Sequence, residues 1–205
     1  MELFRTLHHI DKDITLAINS LNSPGSDWLW CVFSDKEIWF ILYAAVLFFF
    51  FRNLGWKKAL VVAASCVLCV IACDQGGNIC KDFFQRLRPC HDGEMLSRGL
   101  HMLEGAGDLY GFYSAHAANT MGFAMCSSLG FSNDRSRNYR TYRILIFIWA
   151  VLVGLSRVFV GRHFFGDVCA GFIAGLIFGY VLGLIARKVC RRIDGQPCTM
   201  GSICD

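Results

Sequence analysis

The feature that most restricts this chain is a series of long apolar runs. They cover residues 38–51, 59–73, 115–131, 144–160 and 164–186, and the second continues as a more polar helix towards Lys81. A helix crosses a bilayer core with about 20 apolar residues. Hydrophobic residues make up 55% of the chain and charged residues only 18%, whereas soluble domains have roughly 25% charged residues. The sequence therefore predicts an all-α integral membrane protein, a helical bundle with five transmembrane spans.

The N-terminal 36 residues follow another pattern. Charged residues interrupt any span at positions 11–13, and the apolar residues fall on one helical face: Ile10, Ile14, Ala17, Ile18 and Leu21. This pattern predicts an amphipathic helix in the membrane interface, followed by a turn at residues 23–25 and a half-buried aromatic segment around Trp28 and Trp30. We expect six helices in one domain, residues 1–205, with an interfacial segment at 1–36, an outer loop at 90–112 and a tail at 187–205.

Basic residues are distributed unequally between the two sides of this topology. One side carries 11 of the 20 Lys and Arg residues, in the loops after the first and third spans and in the tail. The other side carries nine, together with all six histidines. Loops rich in Lys and Arg remain in the cytoplasm. The tail is therefore predicted to be cytoplasmic, and the histidine-rich side is predicted to face outwards.

Composition also argues against other kinds of site. The net charge is only +4, and the basic residues flank apolar runs as they do in membrane loops, which disfavours nucleic-acid binding. Cys66, Cys69 and Cys73 lie at helical spacing inside an apolar run, where Cys acts as a small hydrophobic residue. They lack the second pair of ligands that a zinc site needs. Cys90 lies in a polar stretch and could form a disulfide, although the sequence indicates no partner.

Three polar clusters stand at span ends, and the topology brings all three to the outer face. They contain Lys81 with Arg88-Pro89, Ser114 with His116, and Ser156-Arg157 with His163 and Asp167. Any one cluster could simply anchor a span end or cap a helix. Together they place three cations and two imidazoles on one face, which suits a phosphate dianion.

The spacing within these clusters indicates a chemistry. The start of the third span offers free backbone N–H groups and the positive end of a helix, which together bind anions. His163 and Asp167 are four residues apart, so a helix beginning there would let them hydrogen-bond. That bond would fix the tautomer of His163 and leave its other nitrogen free to attack phosphorus. His116 remains as a proton donor to the leaving oxygen.

These spacings resemble the three-part signature of the type 2 phosphatidic acid phosphatase family, the membrane-bound lipid phosphatases related to vanadium haloperoxidases. Six residues separate Lys81 from Arg88-Pro89. Five residues separate Ser156-Arg157 from His163, and three more precede Asp167. The second motif departs from the family, since Tyr113 and Ala115 stand where the family has Pro and Gly.

The resemblance implies a metal-independent phosphatase without a cofactor. We expect it in a bacterial inner membrane, with the site on the periplasmic face. Its substrate would be a membrane lipid phosphate such as undecaprenyl diphosphate, phosphatidate, phosphatidylglycerol phosphate or a lipid A phosphate. His163 would form a phosphohistidine, Asp167 would orient it, and His116 would protonate the leaving group and then activate water, the phosphoryl acceptor. The phosphate-binding residues would be Lys81, Arg88, Ser114, Ala115 and Arg157.

Two further patterns bear on the substrate and on packing. The loop between residues 91 and 109 is the predicted substrate-selecting lid, although its histidines and glutamates could instead bind a metal ion. Every fourth residue from Gly171 to Gly183 is glycine. A small-residue face of this kind lets membrane helices approach closely, and we expect it to pack within the chain.

Two rival functions fit part of the pattern. A lipid phosphotransferase would use the same pocket with an acceptor other than water. A transporter for an anion or a lipid would use the charges only for binding. The transporter hypothesis predicts an internal repeat, and none is visible.

Overall fold

The computed structural model describes residues 2–195, and all its regular secondary structure is helical apart from one isolated β-bridge. The α-helices are α1 Glu2–Asn19, α2 Pro24–Ser34, α3 Phe40–Leu54, α4 Trp56–Phe84, α5 Gly93–Ser97, α6 Ala115–Phe131, α7 Arg140–Phe159 and α8 Phe165–Ile193. A short 3-10 helix, Pro89–His91, precedes α5. The all-α prediction is confirmed over this range. Residues 196–205 of the predicted tail lie outside the described residues.

Three of the described helices, α4, α7 and α8, are long and apolar enough to cross a membrane. Helix α3 is apolar but has only 15 residues, and α6 has 17. Length and composition therefore identify three spans and one shorter apolar helix among the described residues, where the sequence predicts five spans. The integral membrane character of the bundle is confirmed.

The two faces of α8 differ in what they contact. Ile173 and Ile177 are 59% and 57% exposed, which is the behaviour of side chains that contact lipid. The glycine face lies against α6, and a Cβ atom on Gly175 would be 2.4 Å from the carbonyl oxygen of Ala118 and 2.8 Å from the nitrogen of Gly122. The predicted packing of the glycine face within the chain is therefore confirmed, and it brings two backbones close together.

The N-terminal segment contains two helices, so the prediction of six helices in total is wrong. Ser23 caps α2 by accepting a hydrogen bond from the nitrogen of Ser26 at 3.2 Å, and Pro24 occupies the first turn. Both are favoured at a helix start. The predicted turn at residues 23–25 thus begins a helix, which carries Trp28 and Trp30.

Helix α1 packs its polar face on the bundle. Thr15 Oγ1 accepts a hydrogen bond from the nitrogen of Phe165 at 3.0 Å, and Asn19 Nδ2 donates to the carbonyls of Val158 and Phe159 at 3.1 and 3.0 Å. These backbone groups stand at the start of α8 and the end of α7, where a helix leaves its own groups unpaired. The apolar residues at positions 7, 10 and 14 remain exposed, as expected for an interfacial helix.

The outer loop folds back over the ends of the long helices. Gln85, in the left-handed conformation, ends α4. Leu87 and Tyr110 form the antiparallel bridge that closes the base of the loop. Within the loop the thiol of Cys90 is free and donates to the carbonyl of Ala106 at 3.2 Å.

Close packing of α6 and α8 gives a stability prediction. Gly175→Ala should lower the free energy of unfolding by about 1–3 kcal/mol, because its Cβ would meet the α6 backbone and the two helices would have to separate. Thermal unfolding in detergent measures the effect. Gly25→Ala is the control, since a Cβ at Gly25 meets nothing within 4 Å. Equal melting temperatures for the two variants would contradict the prediction.

Candidate active site

Four helix ends carry the three predicted motifs. The first motif lies at the end of α4, the second at the start of α6, and the third joins the end of α7 to the start of α8. A cavity of about 730 Å³ lies among these ends. Its lining includes six of the predicted site residues: Lys81, Arg88, Ala115, His116, Arg157 and His163. The other two, Ser114 and Asp167, are fully buried.

His163 lies in the turn between α7 and α8 and not in either helix. Its Nδ1 is 3.6 Å from Asp167 Oδ2, slightly longer than a hydrogen bond, and its Nε2 is 3.4 Å from Arg88 Nη1. Asp167 Oδ2 also accepts a hydrogen bond from the nitrogen of Phe164 at 3.1 Å. The four-residue spacing thus brings the imidazole and the carboxylate together through a cap at the start of α8.

The surroundings of His163 favour its neutral form. Burial lowers the pKa of His163 well below its ordinary value, and the charges of Arg88, Arg157, Lys81 and Arg162 lower this pKa further. Each effect disfavours an imidazolium cation. The neutral ring is therefore the favoured form and keeps a lone pair on one nitrogen, as the predicted attack on phosphorus requires.

Arg157, at the end of α7, is almost completely buried. Its Nη1 donates to both carboxylate oxygens of Glu104, at 3.2 and 3.3 Å, and to the hydroxyl of Ser34. Glu104 belongs to the outer loop and Ser34 to α2, so two separate segments converge on this arginine. Glu104 therefore neutralises part of the Arg157 charge through Nη1, whereas the buried Nε of Arg157 has no hydrogen-bond partner among the described residues and is available to an anion.

Arg88 is fixed by the loop that it begins. Its Nε donates to the carbonyl of Tyr110 at 3.1 Å, and its Nη2 is 3.4 Å from Asp108 Oδ2. The Asp108 side chain is largely exposed, so this ion pair is weak. The guanidinium of Arg88 therefore keeps a fixed position beside His163 while its charge is only partly neutralised.

The second motif fits the fold despite its two departures from the family pattern. Ala115 is the first residue of α6 and has no left-handed backbone, since Gln85 is the sole described residue other than glycine with a positive φ. Tyr113 donates its hydroxyl proton to the carbonyl of Cys73 at 2.8 Å. The Ser114 nitrogen donates to the Asp167 carbonyl at 3.0 Å, which links the second motif to the third.

Lys81 and His116 enter the cavity from two further helices. Lys81 lies in the last turn of α4, and its Nζ donates to Asn78 Oδ1 at 3.3 Å. His116 lies in the first turn of α6. The cavity therefore combines two histidines from different elements with cations from α4, α7 and the loop.

Unpaired polar atoms concentrate around this cavity. Nine buried side-chain atoms in the described part of the chain have no hydrogen-bond partner. Five of them belong to residues of the site: Ser114, Asn119, Arg157, Arg162 and His163. Buried polar groups are normally paired. Their clustering is what a site for a ligand with several polar oxygens requires.

The histidines and glutamates of the outer loop take separate partners. Glu94 pairs with Lys12 of α1, and His101 with Asp27 of α2. Among the described residues, no three His, Cys, Asp or Glu side chains are arranged to hold a metal ion. The contacts instead tie the loop to the N-terminal helices.

The residues that sequence reasoning missed in this region include Arg86, Ser34 and Arg162, the last of which lines the cavity. Arg86 Nη1 donates to Asp167 Oδ1 at 2.6 Å, yet it falls among the unspecified residues of the first motif. Ser34 belongs to the N-terminal segment, for which only an interfacial role is predicted. A buried carboxylate requires a paired charge. Charge balance around Asp167 is therefore the signal that could have indicated Arg86.

Comparison with known proteins gives a family and two groups of relatives. The sequence model of the PAP2 superfamily matches residues 56–189. The chain is 31% identical over 195 residues to a lipid A 4'-phosphatase of Bacteroides thetaiotaomicron, covering 93% of this chain and 83% of that protein. It is 32% identical over 171 residues to a lipid A 4'-phosphatase of Porphyromonas gingivalis, covering 82% of this chain and 69% of that protein.

Two crystal structures share the fold. One is a transmembrane PAP2 type phosphatidylglycerolphosphate phosphatase from Bacillus subtilis, with a TM-score of 0.72 and 19% identity over 90% of this chain and 88% of that one. The other is LpxE of Aquifex aeolicus, with a TM-score of 0.60 and 20% identity over 86% of this chain and 93% of that one. At these identities the likeness concerns the fold.

The negative charge of Glu104 beside Arg157 gives a prediction. Glu104→Gln should tighten the binding of a phosphate-like anion by about fivefold, because the removal of a repelling charge near the site gains roughly 1 kcal/mol. Titration with orthovanadate measures the affinity. Asp13→Asn is the control, since it removes the same charge from α1, where Asp13 pairs with Arg98. Weaker vanadate binding by Glu104→Gln would mean that Glu104 supports the anion site.

Proposed function

The chain belongs to the PAP2 superfamily, and on this premise we propose that its substrate is a phosphate monoester of lipid A. The protein is a membrane lipid phosphatase that needs no metal ion for catalysis. Two relatives that match most of the chain are lipid A 4'-phosphatases. They favour lipid A over the other candidates, undecaprenyl diphosphate, phosphatidate and phosphatidylglycerol phosphate.

The proposal is supported mainly by the lining of the cavity, which is charged in one part and apolar in another. One part is lined by cations and histidines. Another part is lined by apolar side chains of α3 and α4: Val46, Leu47, Phe50, Val67, Val70 and Ile71. A phosphate on the cationic part would leave the acyl chains of the same molecule to the apolar walls. An amphiphile satisfies both parts, whereas a small soluble phosphate ester would leave the apolar walls uncovered.

In the first step of the proposed reaction, His163 attacks phosphorus through Nε2, the nitrogen farther from Asp167. The N–P bond forms as the P–O bond to the lipid breaks, and His116, whose protonated form the phosphate dianion of the substrate stabilises, gives its proton to the leaving oxygen. Preorganised donors then stabilise the charge that develops on the phosphoryl oxygens. These donors are Lys81, Arg88, Ser114, Arg157 and the N–H of Ala115 at the positive end of α6.

In the second step, water attacks the phosphorus of the phosphohistidine. His116, now neutral, takes a proton from the water, and the N–P bond breaks to release inorganic phosphate and neutral His163. An alcohol in place of water would make the protein a phosphotransferase. The released product therefore distinguishes the two activities.

We also propose that α3 and α6 cross the membrane, which gives five spans in a single domain, residues 1–205. Helix α6 packs on α4, α7 and α8, so neighbouring helices surround much of its surface in place of lipid. The interfacial segment 1–36 and the outer loop 90–112 then share one side of the membrane with the site. The described part of the tail, residues 187–195, then lies on the opposite side. The distribution of Lys and Arg supports a site on the periplasmic side, and the bacterial relatives support a bacterial inner membrane.

A lipid panel tests the function. Purified protein in detergent should release inorganic phosphate from lipid A faster than from phosphatidate, phosphatidylglycerol phosphate or undecaprenyl diphosphate. Release should continue in EDTA, and vanadate should inhibit it by mimicking five-coordinate phosphorus.

His163→Ala should lower kcat by at least about 10³-fold, because the nucleophile is lost. Asp167→Asn should cost less, since an orienting group remains.

Three results would contradict parts of this proposal. Faster release from phosphatidate than from lipid A would exclude the proposed substrate. Near wild-type turnover by His163→Ala, with an unchanged melting temperature, would exclude His163 as the nucleophile. Transfer to an added alcohol without release of inorganic phosphate would identify a phosphotransferase.

The sidedness is tested with two matched cysteines in an active variant that lacks the native ones. Ser97→Cys and Ser136→Cys both place a thiol at an exposed position, in α5 and in the loop between α6 and α7. An impermeant maleimide added to cells with a permeabilised outer membrane should label Ser97→Cys and leave Ser136→Cys unlabelled. The reverse pattern would put the site in the cytoplasm.

A further inference from the structure

The carboxylate of Asp167 has two oxygens with different partners. Oδ2 faces His163 and accepts from the nitrogen of Phe164. Oδ1 accepts a hydrogen bond from Arg86 Nη1 at 2.6 Å. The side chain of Asp167 is fully buried and that of Arg86 is one-fifth exposed, so this ion pair is largely shielded from water. The position of the carboxylate relative to the imidazole therefore depends on Arg86.

Arg86 is itself held by groups from α1 and α8. Its Nη2 donates to Asp11 Oδ2 at 2.6 Å and is 3.3 Å from His8 Nδ1. The guanidinium lies over the ring of Phe164, 4.2 Å from its centroid. Stacking and two ion pairs fix the plane of the guanidinium as well as its position.

Asp11 is anchored in turn. Its Oδ1 accepts a hydrogen bond from the nitrogen of Gly166 at 2.8 Å, in the first turn of α8. One carboxylate of α1 thus holds both Arg86 and the helix start that carries Asp167. The contacts form a continuous series from Asp11 through Arg86 and Asp167 to His163.

We propose that Arg86 is a positioning residue for catalysis, which holds the Asp167 carboxylate against His163 and is held by Asp11 of the N-terminal helix. The proposal rests on the proposed function, because it assigns Arg86 an effect on the phosphohistidine-forming step. Arg86 does not line the cavity, so it acts through Asp167 and not on the phosphate.

The chemistry of arginine explains its use at this place. One planar guanidinium can donate to two carboxylates at once, from two nitrogens in a fixed fork, whereas a lysine ammonium has no such fixed geometry. Buried ion pairs cost desolvation and often contribute little to stability. An apolar residue here would leave two largely buried carboxylates unpaired, whereas a lysine would pair with them without fixing their orientation. The paired charges therefore point to a role in orientation.

The same geometry gives a measurable pH effect. The charged and titratable groups around the His163–Asp167 pair are Arg86, Arg88, Lys81, Arg157, Arg162 and His116. Beyond them lie Asp11 and His8 next to Arg86, Asp108 next to Arg88, Glu104 next to Arg157 and Lys36 near His116. Removing the positive charge of Arg86 makes protonation of the pair easier. The acid limb of the kcat/KM profile, which reports protonation of the free enzyme, must then move to higher pH.

The experiment compares four variants of the full-length protein: Arg86→Gln, Arg86→Lys, Asp11→Asn and the control Asp13→Asn. Each is assayed on the best lipid substrate of the wild type, per folded molecule as judged by thermal unfolding. Arg86→Gln should lower kcat about 100-fold, as small misplacements of reacting groups do, with little change in KM. Its acid limb should move to higher pH. Arg86→Lys should keep the wild-type limb and recover part of kcat.

The two α1 variants distinguish an effect of the Asp11–Arg86–Asp167 contacts from the effect of losing any negative charge on α1. Asp11→Asn should lower kcat about tenfold, because Arg86 loses one of its two carboxylates. Asp13→Asn removes a carboxylate two residues away that pairs with Arg98, and its kinetics should be those of the wild type.

Two results would overturn the inference. One is Arg86→Gln with wild-type kcat and an unmoved acid limb. The other is a loss of folded protein with unchanged kcat and pH profile per folded molecule, which would mean a structural role only. A wild-type protein that releases no phosphate from any lipid would instead refute the proposed function, so the two failures are distinguishable.

Discussion

The close approach of α6 and α8 is the constraint on which the site depends. Glycines at every fourth position of α8 let its backbone contact that of α6, and at Gly171 a Cβ would be 2.6 Å from the Ser114 carbonyl. This contact lies beside the hydrogen bond from the Ser114 nitrogen to the Asp167 carbonyl. A wider separation would move the start of α6 away from His163. The distance between the start of α6 and His163 is therefore set by the glycine face of α8, where no side chains separate the two backbones.

Positive charge is concentrated at this end of the bundle, and a bound anion would neutralise it. Arg88, Arg157 and Arg162 lie near a buried imidazole, and their charges disfavour a proton on it. Neighbouring carboxylates compensate in part: Glu104 pairs with Arg157, and Asp108 with Arg88. Both carboxylates belong to the outer loop, so a substrate phosphate could replace them without disturbing the helices. The outer loop therefore affects both the net charge around His163 and the space that a substrate phosphate can enter.

The sequence predicts local features well and long-range pairings poorly. Apolar runs and motif spacing indicate the long helices and the eight site residues, because both depend on residues near one another in the chain. The pairing of Arg86 with Asp11 joins residues 75 apart in sequence, and no pattern indicates it. In the sequence, Asp11 only interrupts a possible span. The second N-terminal helix is missed for a different reason, since Ser23 and Pro24 favour a turn and a helix start equally.

The N-terminal helix α1 exposes its apolar face and buries its polar face, the opposite of an amphipathic helix on a soluble protein. Its apolar face, which includes Leu7 and Ile10, stays exposed, while the polar residues Lys12, Thr15 and Asn19 are buried. In water this arrangement would be unfavourable, because apolar surface is exposed and polar groups are desolvated. In a membrane interface both faces are satisfied, since lipid covers the apolar face and the polar face pairs with helix ends and loop carboxylates. A lipid-covered α1 would then keep its polar face, and with it Asp11, against the catalytic end of the bundle.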